Sequence, residues 1–205
     1  MKINTKKTKV ITFNKSRRFD FPPEVKFSNN QFLEVISETK LLCVIISKDL
    51  TWKKNTEYIC QKARTKLWTL RRLRKLKFDV PHLLDVYFKE IRPLLELAVP
   101  VWHSSLTKLQ SAQIERVQKA AFHIILDGDY DSYQHACSVL VVETLEARRN
   151  KLCNKFVKKE ISIFTKIVKT TNTRAKPSLV KEFKCRTSRF EKSALPYLSR
   201  LVNQI

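Results

Sequence analysis

The chain opens with short alternating and apolar runs and then changes to longer helical periodicities. Lys9–Phe13 ("KVITF") is short and β-branched and predicts a strand. Val25–Ser37 ("VKFSNNQFLEVIS") places Asn29-Asn30 between two short apolar runs. That pattern predicts a hairpin, because Asn tolerates the left-handed conformation. Leu41–Ile46 ("LLCVII") is long enough for one strand covered on both faces. Pro22 and Pro23 make Phe19–Glu24 a loop.

From Trp52 onward the period becomes helical. Ile59, Ala63, Leu67, Leu70 and Leu73 recur at spacings of four, four, three and three, one apolar stripe on a helix from about Asn55 to Leu76. A second helix starts near Pro81, where a missing N–H costs nothing, and carries Leu84, Tyr87, Phe88, Ile91, Leu94, Leu95 and Ala98. Pro93 should kink it or start a new segment. Thr107–Gln110 has the form of a capping box and opens a third helix with Ile114, Val117, Ala121, Ile124 and Ile125 on its stripe. Gly128 is expected to break the chain before a short helix over Tyr133–Leu140. Thr144 is a good N-cap for a helix reaching about Lys159. The stretch after Lys169, with Pro177, reads as loosely ordered, with "ALPYLSRLV" able to dock back. The expected fold class is therefore α+β, mostly α: short N-terminal antiparallel strands over 1–52, a bundle of about five helices over 53–168, and a basic tail over 169–205.

Charge alters this picture more than composition does. Forty-one Lys and Arg face 19 Asp and Glu, a formal net charge of +22. Such an excess attracts polyanions, with nucleic acid the first partner to consider and an anionic membrane the second. No apolar run approaches the roughly 20 residues of a membrane span, and the N-terminus has no signal-peptide core. The five cysteines show no C-x-x-C spacing and are expected to be reduced thiols of an intracellular protein, nuclear or cytoplasmic and not secreted. One glycine in 205 residues leaves turns of positive φ to Asn or Asp and favours helices.

The cations concentrate on the first helix. Lys53 to Lys77 holds ten Lys or Arg and one acid, Glu57. At 100° per residue, Arg64, Trp68, Arg71, Arg72 and Lys75 fall opposite the apolar stripe. That face suits a surface that follows phosphates and offers a ring to a base or sugar. Two placements of Trp68 remain open, on that surface or packed under a neighbouring helix with arginine stems covering it. The candidate nucleic-acid-binding residues are Lys53, Lys54, Lys62, Arg64, Lys66, Trp68, Arg71, Arg72, Arg74 and Lys75.

Signals for catalysis or metal binding are weak. One glycine cannot build a phosphate loop. His82, His103, His123 and His135 lack partners at metal spacing, and His135 with Cys137 is an incomplete pair. Asp127, Asp129 and Asp131 do not match a calcium loop and read better as a helix end and cap. "WHSS" (Trp102–Ser105) reads as a helix end.

The order of these pieces resembles the C-terminal part of reverse transcriptases from non-LTR retrotransposons, of the jockey-like and chicken-repeat-like group. Carrying the resemblance are "MKINTKKTKVITF", with Asn4, Lys7 and Thr8; "KLLCVIISKDLTWKKNTEYICQKARTKLWTLRRLR"; "YFKEIRPLLELAVPVWHSS"; "QIERVQKAAFHIIL"; "SYQHACSVLVVETLEARRNKLCNKFVKK"; and "RFEKSALPYLSRLVN". It implies that the strands are the end of a polymerase palm and the basic helix belongs to a thumb gripping RNA or DNA duplex without reading sequence. On that resemblance Lys7 falls near a lysine proposed as a general acid toward pyrophosphate, and the intact family enzyme uses Mg²⁺. The sequence begins after the family's Asp-Asp motif, so this chain alone is expected to have no catalytic carboxylates, no cofactor, no small-molecule substrate and no polymerase activity. An active polymerase whose upstream portion is missing from the gene model, a non-functional transposon relic, and a helical module binding a protein partner are the alternatives. The family usually has glycine where this chain has Cys43, and a Cβ there is expected to disturb a close backbone approach.

Overall fold

A computed structural model describes residues 4, 7–13, 24–28, 31–162, 180 and 183–204. The chain forms two compact units, Met1–Tyr58 and Ile59–Ile205. The fold is α+β and mostly α, with two antiparallel strand pairs followed by helices.

In the first unit, β1 (Glu24–Ser28) pairs antiparallel with β2 (Gln31–Glu34), Val25 opposite Leu33, and the expected Asn29-Asn30 turn lies outside the described residues. The strand expected over Lys9–Phe13 shrinks to one parallel bridge, Val10 to Val35. The Val10 N–H donates to Glu34 O at 3.0 Å and Val10 O accepts from the Ile36 N–H at 2.8 Å. Ser37 then turns the chain toward the next strand, its carbonyl taken by the Lys48 N–H at 2.8 Å, so no ladder continues alongside Val10.

"LLCVII" is not one covered strand. It folds back on itself as the tip of a hairpin between β3 (Glu38–Leu41) and β4 (Val44–Ser47), with Leu41 opposite Val44. Leu42 and Cys43 form the two-residue turn with φ of 46° and 65°. Positive φ at both central positions matches the right-handed twist of paired strands, and it normally draws Asn-Gly. Only Val44 of the run is buried, and Leu42 is 87% exposed. The hairpin is tied to the next element by Asn55, whose Oδ1 accepts the Ile45 N–H at 3.1 Å.

Helix α1 (Lys53–Lys75) begins in the first unit and continues into the second. Nine Lys or Arg and three Leu, strong helix formers, make up over half of its 23 residues, with neither Gly nor Pro. It ends in a Schellman closure: the Phe78 N–H donates to Leu73 O at 3.2 Å and the Lys77 N–H to Arg74 O at 2.9 Å. Lys77, at φ 60°, occupies the position that usually carries glycine.

The second unit continues with α2 (Val80–Val86), capped by Asp79 and with Pro81 in its first turn. A widened π turn over Tyr87–Ile91 follows, then α3 (Arg92–Glu96). The cause is Pro93. It cannot donate to the carbonyl of Lys89, and its ring crowds that carbonyl, so the turn opens and the Arg92 N–H reaches back to Tyr87 O. The expected interruption at Pro93 is thus a bulge one turn earlier. Ala98, left-handed at φ 52°, introduces α4 (Val99–Trp102) and a 3₁₀ turn over His103–Ser105. Helix α5 (Lys108–Leu126) has the expected capping box in both directions. Its end is made by Asp127 at φ 51°, not by Gly128, whose φ is not positive. Helix α6 (Tyr133–Val139) is capped by Ser132 and α7 (Leu145–Lys159) by Thr144.

Within the stretch expected to be a loosely ordered tail, α8 (Ser188–Glu191) and α9 (Ala194–Val202) form, and α9 docks on α4 and α7. Its apolar face buries Leu198 and Val202, and Asn203 exchanges two 3.0 Å hydrogen bonds with the backbone of Val180. The core of the unit is built from Tyr87, Ile91, Leu95, Trp102, Ile114, Phe122, Ile125 and Leu145, all fully buried. Apolar burial at roughly 1.5–3 kcal/mol per large side chain is what holds these short helices in place.

Candidate nucleic-acid interface

The inward side of α1 is Ile59, Cys60, Ala63, Leu67 and Leu70, each at most 3% exposed, with Leu73 half-buried. Burial pushes the Cys60 thiol up to about 11, against the pull of Arg64 and Arg149, so it is an inert apolar filler. Every cysteine among the described residues is a free thiol. Fixing this stripe inward forces the opposite side out.

The ten expected site residues separate into groups. Lys53 and Lys62 are exposed. Lys54 forms an ion pair with Glu38, and Lys66 one with Glu90 at 2.8 Å. Arg74 turns away from the basic face, half-buried, toward Asp127 at 3.9 Å. Arg64, Arg71, Arg72 and Lys75 are exposed, and among the described residues none has a carboxylate within 4.0 Å. Trp68 sits among them 59% exposed, with the Arg72 guanidinium 5.2 Å from its ring centroid. Packing of Trp68 under a neighbouring helix is therefore not what the fold does. Arg72, Arg74 and Lys75 also complement the negative end of the helix dipole, so part of this charge supports α1 itself.

Lys7 lies in the first unit, in a closed turn. Its N–H donates to Asn4 O at 3.1 Å and to Asn4 Oδ1 at 3.3 Å, while the Thr8 hydroxyl donates to Asn4 O at 2.9 Å. The three residues quoted for the family resemblance thus make one local structure, and the Lys7 side chain is exposed.

What sequence reading missed is a buried polar network under α7. Arg149, fully buried, donates from Nε to His103 Nδ1 at 3.2 Å and from Nη2 to Ser111 Oγ at 2.7 Å. Its Nη1 lies 3.8 Å from Glu115 Oε1. Glu115 accepts from the Tyr133 hydroxyl at 2.5 Å and from the first N–H groups of α7, Leu145 at 3.3 Å and Glu146 at 2.6 Å. Gln118 joins Tyr87, Tyr133 and the Glu143 carbonyl. Because Arg149 donates to Nδ1, the His103 proton is assigned to Nε2, which donates to Asn150 Oδ1 at 2.8 Å. Burial holds the His103 pKa below its usual value; the Asn150 hydrogen bond opposes this and the Arg149 charge adds to it. No spacing signal announces this cluster; only the helix packing brings α4, α5, α6 and α7 together there.

Among the described residues no group of three or more His, Cys, Asp or Glu is placed to hold a metal ion, and no helix is long and apolar enough to cross a membrane. No protein-family model matches the chain, and no curated protein or solved structure matches it significantly.

Proposed function

We propose that this chain binds nucleic acid through the outward face of α1 without reading sequence, as the thumb-like element of a polypeptide derived from a non-LTR reverse transcriptase. The observation that carries the reading is the set of four exposed cations, Arg64, Arg71, Arg72 and Lys75, with no carboxylate within 4.0 Å among the described residues. Unpaired arginines and lysines on a rigid helix neutralise phosphates and release counterions. Contacts of this type position a duplex of the template–primer kind but carry no base information.

The test is binding of the full chain to a random-sequence duplex across a salt series. Four phosphate contacts predict a slope of log K against log[salt] steeper than about −3, from roughly −0.9 per phosphate. Changing Arg64, Arg71, Arg72 and Lys75 together to Gln should remove most of that slope while leaving the helical circular dichroism unchanged. A flat salt response of the unaltered protein overturns the proposal, as does a slope the fourfold variant keeps.

A further inference from the structure

Granted that α1 grips nucleic acid, the arrangement of its outward side chains specifies which strand state it takes. Arg64, Trp68, Arg72 and Leu76 succeed one another at intervals of four residues and form one continuous ridge along the helix. Arg71 and Lys75 form the adjoining ridge, also four residues apart. The two ridges differ in chemistry. The second, Arg71 and Lys75, carries charge with no ring and no apolar member. The first offers flat and apolar groups: an indole 59% exposed, a guanidinium 5.2 Å from its centroid, and Leu76 at 64% exposure at the helix end.

Charge alone would suit the phosphates of either a duplex or a single strand. A solvated indole and a planar guanidinium in one row suit something else, the face of a base, since every base has a π-face and arginine planes stack on it as aromatic rings do. Inside an intact duplex those faces are covered by neighbouring base pairs. In a single strand they are open, and the backbone can run along one side while the bases turn to the other. The two ridges match that division.

We infer that the Trp68–Arg72–Leu76 ridge is a stacking ledge for unpaired bases, so that the preferred ligand of α1 is single-stranded nucleic acid, its phosphates on Arg71 and Lys75. The apolar character of the ledge and its cations would also fit an anionic bilayer surface, and the row holding the exposed indole with a guanidinium beside it, flanked by a row of charge alone, is what favours a strand.

Fluorescence gives the test directly. Trp102 is fully buried and Trp52 is 7% exposed, so a quencher arriving from solvent reports Trp68. With full-length protein at fixed salt, a homopyrimidine single strand should quench this emission and bind about tenfold tighter than a blunt duplex with the same number of phosphates, the order expected for one stacked base. Trp68→Ala should weaken single-strand binding about tenfold and duplex binding by far less, while Trp68→Phe retains most of the single-strand affinity. Equal affinity for both ligands, or equal loss for both in Trp68→Ala, overturns the ledge and leaves the electrostatic grip standing. Salt-dependent binding to neither removes the grip as well. A larger emission change with phosphatidylserine vesicles than with the single strand overturns the ledge in favour of a membrane surface.

Discussion

Cys43→Gly should stabilise the β3–β4 hairpin by about 1 kcal/mol, and the magnitude follows from two opposed terms. Cys43 holds φ of 65° at the second position of a two-residue turn. An L residue there brings Cβ against the following carbonyl oxygen, at about 1–2 kcal/mol. Glycine removes that contact but adds freedom to the unfolded chain, costing about 0.4–1 kcal/mol. The side chain is exposed, so no packing is lost. Hydrogen exchange of the Lys48 amide, which donates to Ser37 O at 2.8 Å across the hairpin, provides the local readout. A gain of about 1 kcal/mol raises its protection about fivefold. Cys43→Ala keeps the Cβ and should give no gain; Cys43→Val, β-branched, should lower protection. Equal gains from Gly and Ala would show that the thiol, not the backbone, limits the turn and would refute the reasoning. The resemblance put glycine at this position on grounds of close approach; the turn geometry supplies a different cause.

Four further outcomes follow from the second unit. Lys77→Gly should raise the urea midpoint by an amount equivalent to about 1 kcal/mol, since Lys77 is left-handed in the Schellman closure of α1, while Gly128→Ala should be neutral to stabilising by up to about 1 kcal/mol because φ is not positive and nothing lies within 4 Å of the new Cβ. Glu115→Gln should cost about 2 kcal/mol in denaturant unfolding, because its carboxylate accepts from Tyr133, Leu145 and Glu146 and an amide would set an N–H against one of these donors. His103 has its folded pKa depressed below the unfolded value near 6.5, so its contribution to stability is full above about pH 6.5 and is lost as pH falls through the folded pKa; a fall in melting temperature over that range that persists in His103→Gln would exclude it.

The helical half was legible because its signals are local. The Ile59–Leu73 stripe, the Thr107 capping box and the Thr144 N-cap each lie within a turn or two of the structure they specify. The hairpin inside "LLCVII" was not legible, since its turn residues are Leu and Cys, which carry no turn signal, and six apolar residues in a row look like one buried strand. Pro93 announced an irregularity but not its form, because a missing N–H can be met by a kink, a break or a widened turn, and packing of Tyr87 and Ile91 decides among them. The basic face could be placed on α1 from angles alone. Which of its charges are paired could not, because Glu38, Glu90 and Asp127 come from other parts of the chain. Trp68 was undecided for the same reason: exposure belongs to the neighbours a residue lacks.

Eight non-glycine residues among those described have positive φ: Leu42, Cys43, Leu50, Trp52, Lys77, Ala98, Asp127 and Val141. At about 1 kcal/mol apiece their combined strain rivals the net stability of an ordinary domain, about 5–15 kcal/mol. A library that samples only Gly and Asn at these sites would therefore search a small sequence space with an unusually high yield of thermotolerant clones, and sparing Trp52, which is buried, would keep the hydrophobic interior out of the experiment.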